Sequence, residues 1–77
     1  MLVYYITFQS QTAAQRASDL LKYRGIHAPV VSTPASLSPE GCGYSIKLKE
    51  KELTRAKGYL DRMLISYQNI YFGGNQK

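Results

Sequence analysis

The alternation of hydrophobic and polar positions predicts four strands. Leu2–Phe8 carries aromatic and β-branched residues on both alternating faces, as in a central strand covered on one side and partly covered on the other. Tyr44–Lys49 alternates apolar and polar residues, which is typical of a strand with one face in the core. His27–Ser32 is predicted as an edge strand, because its Pro29 has no backbone N–H to donate. Tyr67–Phe72 is predicted as the last strand.

Two segments between these strands place apolar residues at helical spacing. The first begins at a cap formed by Ser10 or Thr12 and ends before Gly25, where glycine adopts the left-handed conformation without steric cost. The second follows Glu50, and its acidic start and basic end suit the helix dipole. The predicted apolar stripes consist of Ala13, Ala17, Leu20 and Leu21 in the first helix and Leu53, Ala56, Leu60, Met63 and Leu64 in the second.

The resulting β-α-β-β-α-β order divides the chain into two similar halves and predicts a ferredoxin-like α+β sandwich. With right-handed crossovers, its antiparallel four-stranded sheet has the order 4-1-3-2 and both helices cover one face. The 77 residues have room for one domain. We expect this domain to span residues 1–72, and we expect residues 73–77 to form a disordered tail because they offer nothing apolar to anchor them.

Composition narrows the class of protein. With 44% hydrophobic and 19% charged residues, the chain has the balance of a folded globular protein. No run approaches the ~20 apolar residues that a membrane span needs. The net charge of +5 is spread along the chain among acids, so it favours an acidic partner only weakly. A single cysteine excludes an internal disulfide, and the first residues lack a basic leader, so we expect a cytoplasmic protein with a reduced thiol.

The chemically distinctive group is the thiol of Cys42, which stands between Gly41 and Gly43 just before the third strand. In the predicted topology this position lies at the end of the sheet where the first helix begins. The free N–H groups and dipole of a helix N-terminus favour an anion and lower the pKa of a nearby cysteine. The candidate site therefore comprises Cys42, Gly41, Gly43, Ser10, Gln11 and Thr12. The alternative is that Cys42 fills a small apolar site and that the glycines serve only the turn.

The same residues carry a resemblance to a known family. The relevant segments are Tyr4-x-Ile6-Thr7-Phe8 with Ser10 soon after, Leu20-Leu21-Lys22 before Gly25-Ile26, Pro34, and Cys42-Gly43-Tyr44-Ser45-Ile46-Lys47. In these the chain resembles the short bacterial proteins called selenium or sulfur carrier protein-like.

The resemblance implies that the Cys42 thiolate accepts a sulfane sulfur or a selenium atom and presents it to an acceptor. The implied donor is a persulfide-bearing protein such as a cysteine desulfurase, and the acceptor is not specified. On this hypothesis the chain is an intermediary of transfer more than an independent enzyme, and no cofactor is expected.

Two non-catalytic alternatives remain open. RNA-recognition domains share the predicted element order and stack bases on strands one and three. Here the predicted solvent face of strand three offers Ser45, Lys47 and Lys49, which leaves Tyr5 as the one stacking candidate, so nucleic acid is the less favoured partner. The other alternative is a protein-interaction module whose sheet contributes Tyr67, Tyr71 and Phe72, and homodimerisation is left open.

Other arrangements do not form a recognisable site. His27 is the single histidine, and with one cysteine the chain offers no tetrahedral zinc set. Glu50 and Glu52 are interpreted as stabilising the start of a helix rather than as a paired acid and base. Gly41-Cys42-Gly43 lacks the lysine and the following helix of a phosphate-binding loop.

Overall fold

Four strands and two helices follow one another in the predicted order. The computed structural model describes residues 2–33 and 43–75. The elements are β1 (Leu2–Phe8), α1 (Gln11–Tyr23), β2 (Val30–Ser32), β3 (Tyr44–Lys49), α2 (Glu50–Arg62) and β4 (Ile70–Asn75).

The strands form one antiparallel sheet in the order β2-β3-β1-β4, which is the predicted order read from the opposite edge. β1 is central: Ile6 pairs with Ile46 of β3 on one side and with Ile70 of β4 on the other. Short β2 pairs with β3 through Val30 and Ile46. The ferredoxin-like α+β architecture is therefore confirmed.

One face of the sheet carries the core. Ile6 and Phe8 of β1 and Ile46 and Leu48 of β3 are buried on that face, because paired residues of neighbouring strands point to the same side. Their cluster also contains residues from both helices, namely Ala14, Ala17, Leu21, Ala56 and Leu60. Both helices consequently cover the same side of the sheet, as the element order predicts.

The opposite face of β1 is also shielded from solvent. Val3, Tyr5 and Thr7 are buried there. Gly73 of β4 lies close to this row, since a Cβ at that position would fall 2.4 Å from Cε2 of Tyr5. The absence of a side chain at Gly73 thus leaves room for the Tyr5 ring to pack against β4.

The two helices end in the same hydrogen-bonding pattern, with different residues at the left-handed position. After α1, Gly25 has φ +82° and its N–H donates to the carbonyl of Lys22. The next N–H, that of Ile26, donates to Leu21 O at 2.8 Å. These are the two bonds of a Schellman motif, and the predicted helix stop at Gly25 is confirmed.

At the end of α2, Leu64 takes the left-handed position with φ 57°. Its N–H donates to Asp61 O at 3.2 Å, and the N–H of Ile65 donates to Leu60 O at 2.9 Å. This geometry turns Leu64 outward, where it is 90% exposed, while Ile65 packs against the core. The prediction that Met63 and Leu64 continue the buried stripe is therefore wrong, since Met63 is also exposed.

Two strand boundaries differ from the prediction. The second strand covers only Val30–Ser32, so His27 lies outside it and is exposed, although β2 is at the edge as expected. The last strand was predicted at Tyr67–Phe72 and instead runs from Ile70 to Asn75. Tyr67 packs against the core from the preceding turn, and three residues assigned to the tail, 73–75, extend β4 along the start of β1.

Candidate functional site

The pairing of β1 with β3 brings three element ends together. Phe8, the last residue of β1, is opposite Tyr44, the first residue of β3. Ser10 follows two residues after Phe8 and caps α1. The segment that enters β3 through Gly43 therefore reaches the sheet at the end where α1 begins.

The start of α1 is built around Ser10. This residue has extended backbone angles, φ −145° and ψ 162°, and its Oγ accepts a hydrogen bond from the N–H of Ala13 at 3.2 Å. Gln11 and Thr12 form the exposed first turn. Of the two predicted caps Ser10 is the one used. Backbone N–H groups of a first helical turn have no partner within the helix, so those of Gln11 and Thr12 remain available to an anion.

Gly43 has a backbone that favours glycine. Its φ is +139°, a conformation that residues with a side chain rarely adopt, and it is half-buried. Its carbonyl accepts a hydrogen bond from the N–H of Thr33 at 3.2 Å. A second contact between the same stems joins the hydroxyls of Thr33 and Ser45, whose Oγ atoms are 2.5 Å apart. We refer to the Thr33–Gly43 and Thr33–Ser45 contacts as the loop clamp.

Two members of the predicted site, Gly41 and Cys42, lie outside the described residues. The other four, Ser10, Gln11, Thr12 and Gly43, are in the described part of the chain. Gly43 enters the sheet at the same end as the start of α1. The predicted approach of the Cys42 sulfur to the first turn of α1 stays a prediction.

A groove not foreseen from the sequence adjoins the start of α1. It runs between the first turns of α1 and the turn that follows α2, as two neighbouring hollows of about 690 and 620 Å³. Thr12, Arg16, Met63 and Ile65 line both. Arg16 adds a positive charge beside the helix N-terminus, whereas Asp19 lines only the first hollow, so the second hollow is the one that favours an anion.

The turn after α2 is fastened to the end of β1. The N–H of Thr7 donates to Asn69 O at 2.8 Å, and the N–H of Gln68 donates to Thr7 O at the same distance. The Thr7 hydroxyl also accepts from the N–H of Asn69 at 3.0 Å. These bonds hold the far wall of the groove against the end of β1.

Sequence reasoning missed the loop clamp as well as the groove. Ser45 was predicted on the solvent face of β3, but it is fully buried beside Thr33. The available signal was the presence of small hydroxyl residues on both sides of a loop rich in glycine, proline and serine. The groove had no such signal, because it depends on contacts between residues 62 positions apart.

No metal site is found in the part of the chain that the structure describes, since no three His, Cys, Asp or Glu side chains there come together. Within the same residues, neither helix has the length and apolar character needed to cross a membrane.

One of the comparisons with known proteins gives a match. A family model described as "Putative Se/S carrier protein-like" matches residues 3–72, a span that includes Cys42 and every element except the last residues of β4 and the first of β1. The chain belongs to this family. The predicted resemblance is confirmed. Neither the curated proteins nor the solved structures give a significant match.

The structure also bears on the nucleic-acid alternative. Tyr5, the predicted stacking residue, is only 7% exposed, and its ring packs against Gly73 of the neighbouring strand. This burial leaves little of the ring for a base to stack on. Since Ser45 is buried too, the solvent face of β3 offers Lys47 and Lys49 without an aromatic partner of its own.

Proposed function

We propose that the protein carries sulfur or selenium as a covalently bound atom on the Cys42 thiol and passes it between partner proteins. The observation that carries this proposal is the match of the selenium/sulfur carrier family across residues 3–72. Family membership supports transfer between partners. Cys42 is the single cysteine of the chain, so its thiol is the candidate for carrying the atom. The sulfur atoms of methionine are not nucleophiles of comparable strength in this exchange.

The proposed transfer is an exchange at sulfur. The Cys42 thiolate attacks the terminal sulfur of a donor persulfide, the bond between the two donor sulfurs breaks, and a new S–S bond forms at Cys42. The donor leaves as a thiolate, which takes up a proton from water. Oxidation states are redistributed between the two proteins without an external oxidant or reductant. Transfer of selenium follows the same steps, with selenium as the terminal atom.

The local structure supports this chemistry in two ways. Gly43, the covalent neighbour of Cys42, has no side chain to shield the thiol, and the loop clamp fixes the point from which the cysteine segment leaves the sheet. The exposed first turn of α1 and Arg16 lie at the same end of the sheet, and both favour a negatively charged sulfur.

Mass spectrometry after exposure to a small-molecule persulfide tests the proposal. We expect the wild-type protein to gain the mass of one sulfur atom, and we expect treatment with a reducing thiol to remove it. Cys42→Ser should gain nothing, because serine has no thiolate to form the bond. A Ser10→Thr variant, which keeps a capping hydroxyl, serves as the matched control and should load as the wild type does.

The rate of alkylation measured against pH supplies the second readout. A Cys42 thiol stabilised by the helix N-terminus should react with a midpoint below that of a free cysteine. An ordinary midpoint together with no added sulfur on Cys42 would remove the proposal. Adding a selenium donor in a parallel experiment distinguishes which of the two elements is accepted.

A further inference from the structure

One flank of α2 carries two exposed arginines and, between them, a half-buried tyrosine that packs against the core. Arg55, Tyr59 and Arg62 are spaced four and three residues apart, so they lie on one side of the helix. Together with Gly58 they line a shallow hollow of about 240 Å³. We call these four residues, with Arg24 of the α1 terminus, the arginine–tyrosine surface.

Arg24 joins this surface from the end of α1. Its guanidinium carbon is 5.5 Å from the centre of the Tyr59 ring and 5.8 Å from that of Tyr23. Both distances are within the range of cation–π attraction. These contacts place the Arg24 charge beside Tyr59, which lines the hollow.

The positive charges of the surface are not neutralised within the described residues. No acidic residue lines the hollow, and Arg24, Arg55 and Arg62 form no ion pair with any residue of ranges 2–33 and 43–75. An arginine presents a planar set of donors that matches a carboxylate or a phosphate. Three unpaired guanidinium groups on one face therefore form a recognition surface for an anionic partner.

Gly58 is an independent indication that another chain approaches the arginine–tyrosine surface. A glycine inside a helix costs about 1 kcal/mol relative to alanine. Internal packing does not require it, because a Cβ at position 58 would meet nothing within 4 Å. The missing side chain instead leaves the floor of the hollow open, which permits another chain to come close to the helix backbone.

We propose that the arginine–tyrosine surface docks an acidic segment of a partner protein, with the partner backbone lying over Gly58 and its carboxylates paired with Arg55 and Arg62. The net charge of +5 favours such a partner at long range. Nucleic acid is less suited, because stacked bases would compete with Arg24 for Tyr23 and Tyr59, whereas carboxylates leave that packing in place. This docking goes beyond atom transfer and does not depend on the thiol of Cys42.

Binding of poly-L-glutamate, followed by NMR chemical shifts and by titration, tests the proposal. The double variant Arg55→Gln/Arg62→Gln should lose about tenfold or more in affinity, because hydrogen bonds between charged groups are lost. The double variant Lys47→Gln/Lys49→Gln on β3 removes the same charge elsewhere and is the matched control. It should reduce affinity far less, since both side chains lie outside the surface.

A third variant, Gly58→Gln, leaves the charge unchanged and substitutes a better helix former. We expect it to weaken polyglutamate binding several-fold without lowering the stability of the fold. The proposal would be overturned if the arginine and lysine double variants lost the same affinity for polyglutamate, or if the wild-type protein did not bind polyglutamate. It would also be overturned if polyuridylate or inorganic phosphate shifted the same arginine signals at lower concentration than polyglutamate. Loading of sulfur on Cys42 is a separate measurement, so the two proposals can fail independently.

Discussion

Leu64 and Gly25 occupy equivalent backbone positions at the ends of the two helices. Each has a positive φ, 57° for Leu64 and +82° for Gly25, and each precedes a residue whose N–H bonds back to the last turn. A residue with a Cβ pays about 1–2 kcal/mol in the left-handed conformation. Leu64 recovers little of this through packing, because its side chain is 90% exposed. The end of α2 therefore holds local strain that the end of α1 avoids.

Introducing glycine at position 64 and removing it at position 25 should change the free energy of unfolding in opposite directions. Leu64→Gly is expected to raise the free energy of unfolding by up to about 1 kcal/mol, because relief of strain exceeds the added chain entropy. Gly25→Ala should lower it by about 1 kcal/mol, because alanine is strained at positive φ. Urea unfolding monitored by circular dichroism measures both. A Leu64→Gly protein that is less stable than the wild type would contradict this account of the α2 terminus.

Among the elements, α1 has two roles: it packs in the core, and its first turn belongs to the proposed thiol site. Its first turn depends on the bond from the Ala13 N–H to Ser10 Oγ, at 3.2 Å, and the carbonyl of Ser10 accepts the N–H of Ala14. Its buried side supplies Ala14, Ala17 and Leu21 to the core. A change at the cap can therefore alter both the stability of the helix and the direction of the N–H groups beside the start of β3.

Ser10→Ala should lower the free energy of unfolding by about 1 kcal/mol, since the capping hydrogen bond is lost. It should also move the alkylation midpoint of Cys42 to higher pH, if the helix start stabilises the thiolate as proposed. Thr12→Ala is the matched control, because Thr12 lies in the first turn and is not the cap. Both quantities can be measured on the same samples. Equal effects of the two substitutions would argue against a special role for Ser10.

At the scale of the whole molecule, basic residues outnumber acidic ones two to one. Ten basic and five acidic residues give +5, and the described part of the chain contains no ion pair. Repulsion among the basic side chains therefore opposes the compact state with little local compensation. Salt screens such repulsion over about 10 Å at 0.1 M ionic strength.

We accordingly expect the free energy of unfolding to rise as sodium chloride is increased from low to physiological concentration. Lys47→Gln/Lys49→Gln should weaken this dependence, because it removes two of the repelling charges from β3. Thermal and urea unfolding across a salt series would measure the effect. Stability that falls over this salt range would show that attractive rather than repulsive charge contacts dominate.

The global arrangement was largely predictable because it depends on local periodicity and on general rules of chain connection. The alternation of Tyr44–Lys49 and the apolar character of Leu2–Phe8 gave both strands their correct bounds. The handedness of crossovers then determined which strands are neighbours. Family membership likewise followed from short segments spread along the chain, above all residues 42–47, and the family match confirms it.

The errors arose where tertiary contacts override local preference. Tyr67 has the character of a strand residue, yet it lies in the irregular segment before β4, where Gln68 and Asn69 bond to Thr7. Gly73 and Gly74 have low strand propensity, but Gly74 pairs with Val3, and Gly73 is the extra residue where the register shifts between Val3 and Tyr4, so both belong to β4. Ser45 was predicted to face solvent, but it is buried beside Thr33. The groove at the α1 start could not be predicted, because its two walls meet only in the folded chain.

The loop clamp has a consequence for how this small protein can diversify. Thr33 and Gly43 are joined by a backbone hydrogen bond, and Thr33 also contacts the buried Ser45, so the ends of the intervening segment are tied within the sheet. Doubling the length of a tied segment costs only about 0.6 kcal/mol in closure entropy. Segments of different length can thus join the two stems while the scaffold persists, and, provided that Cys42 is retained, a new recognition specificity can be acquired without the invention of a new fold.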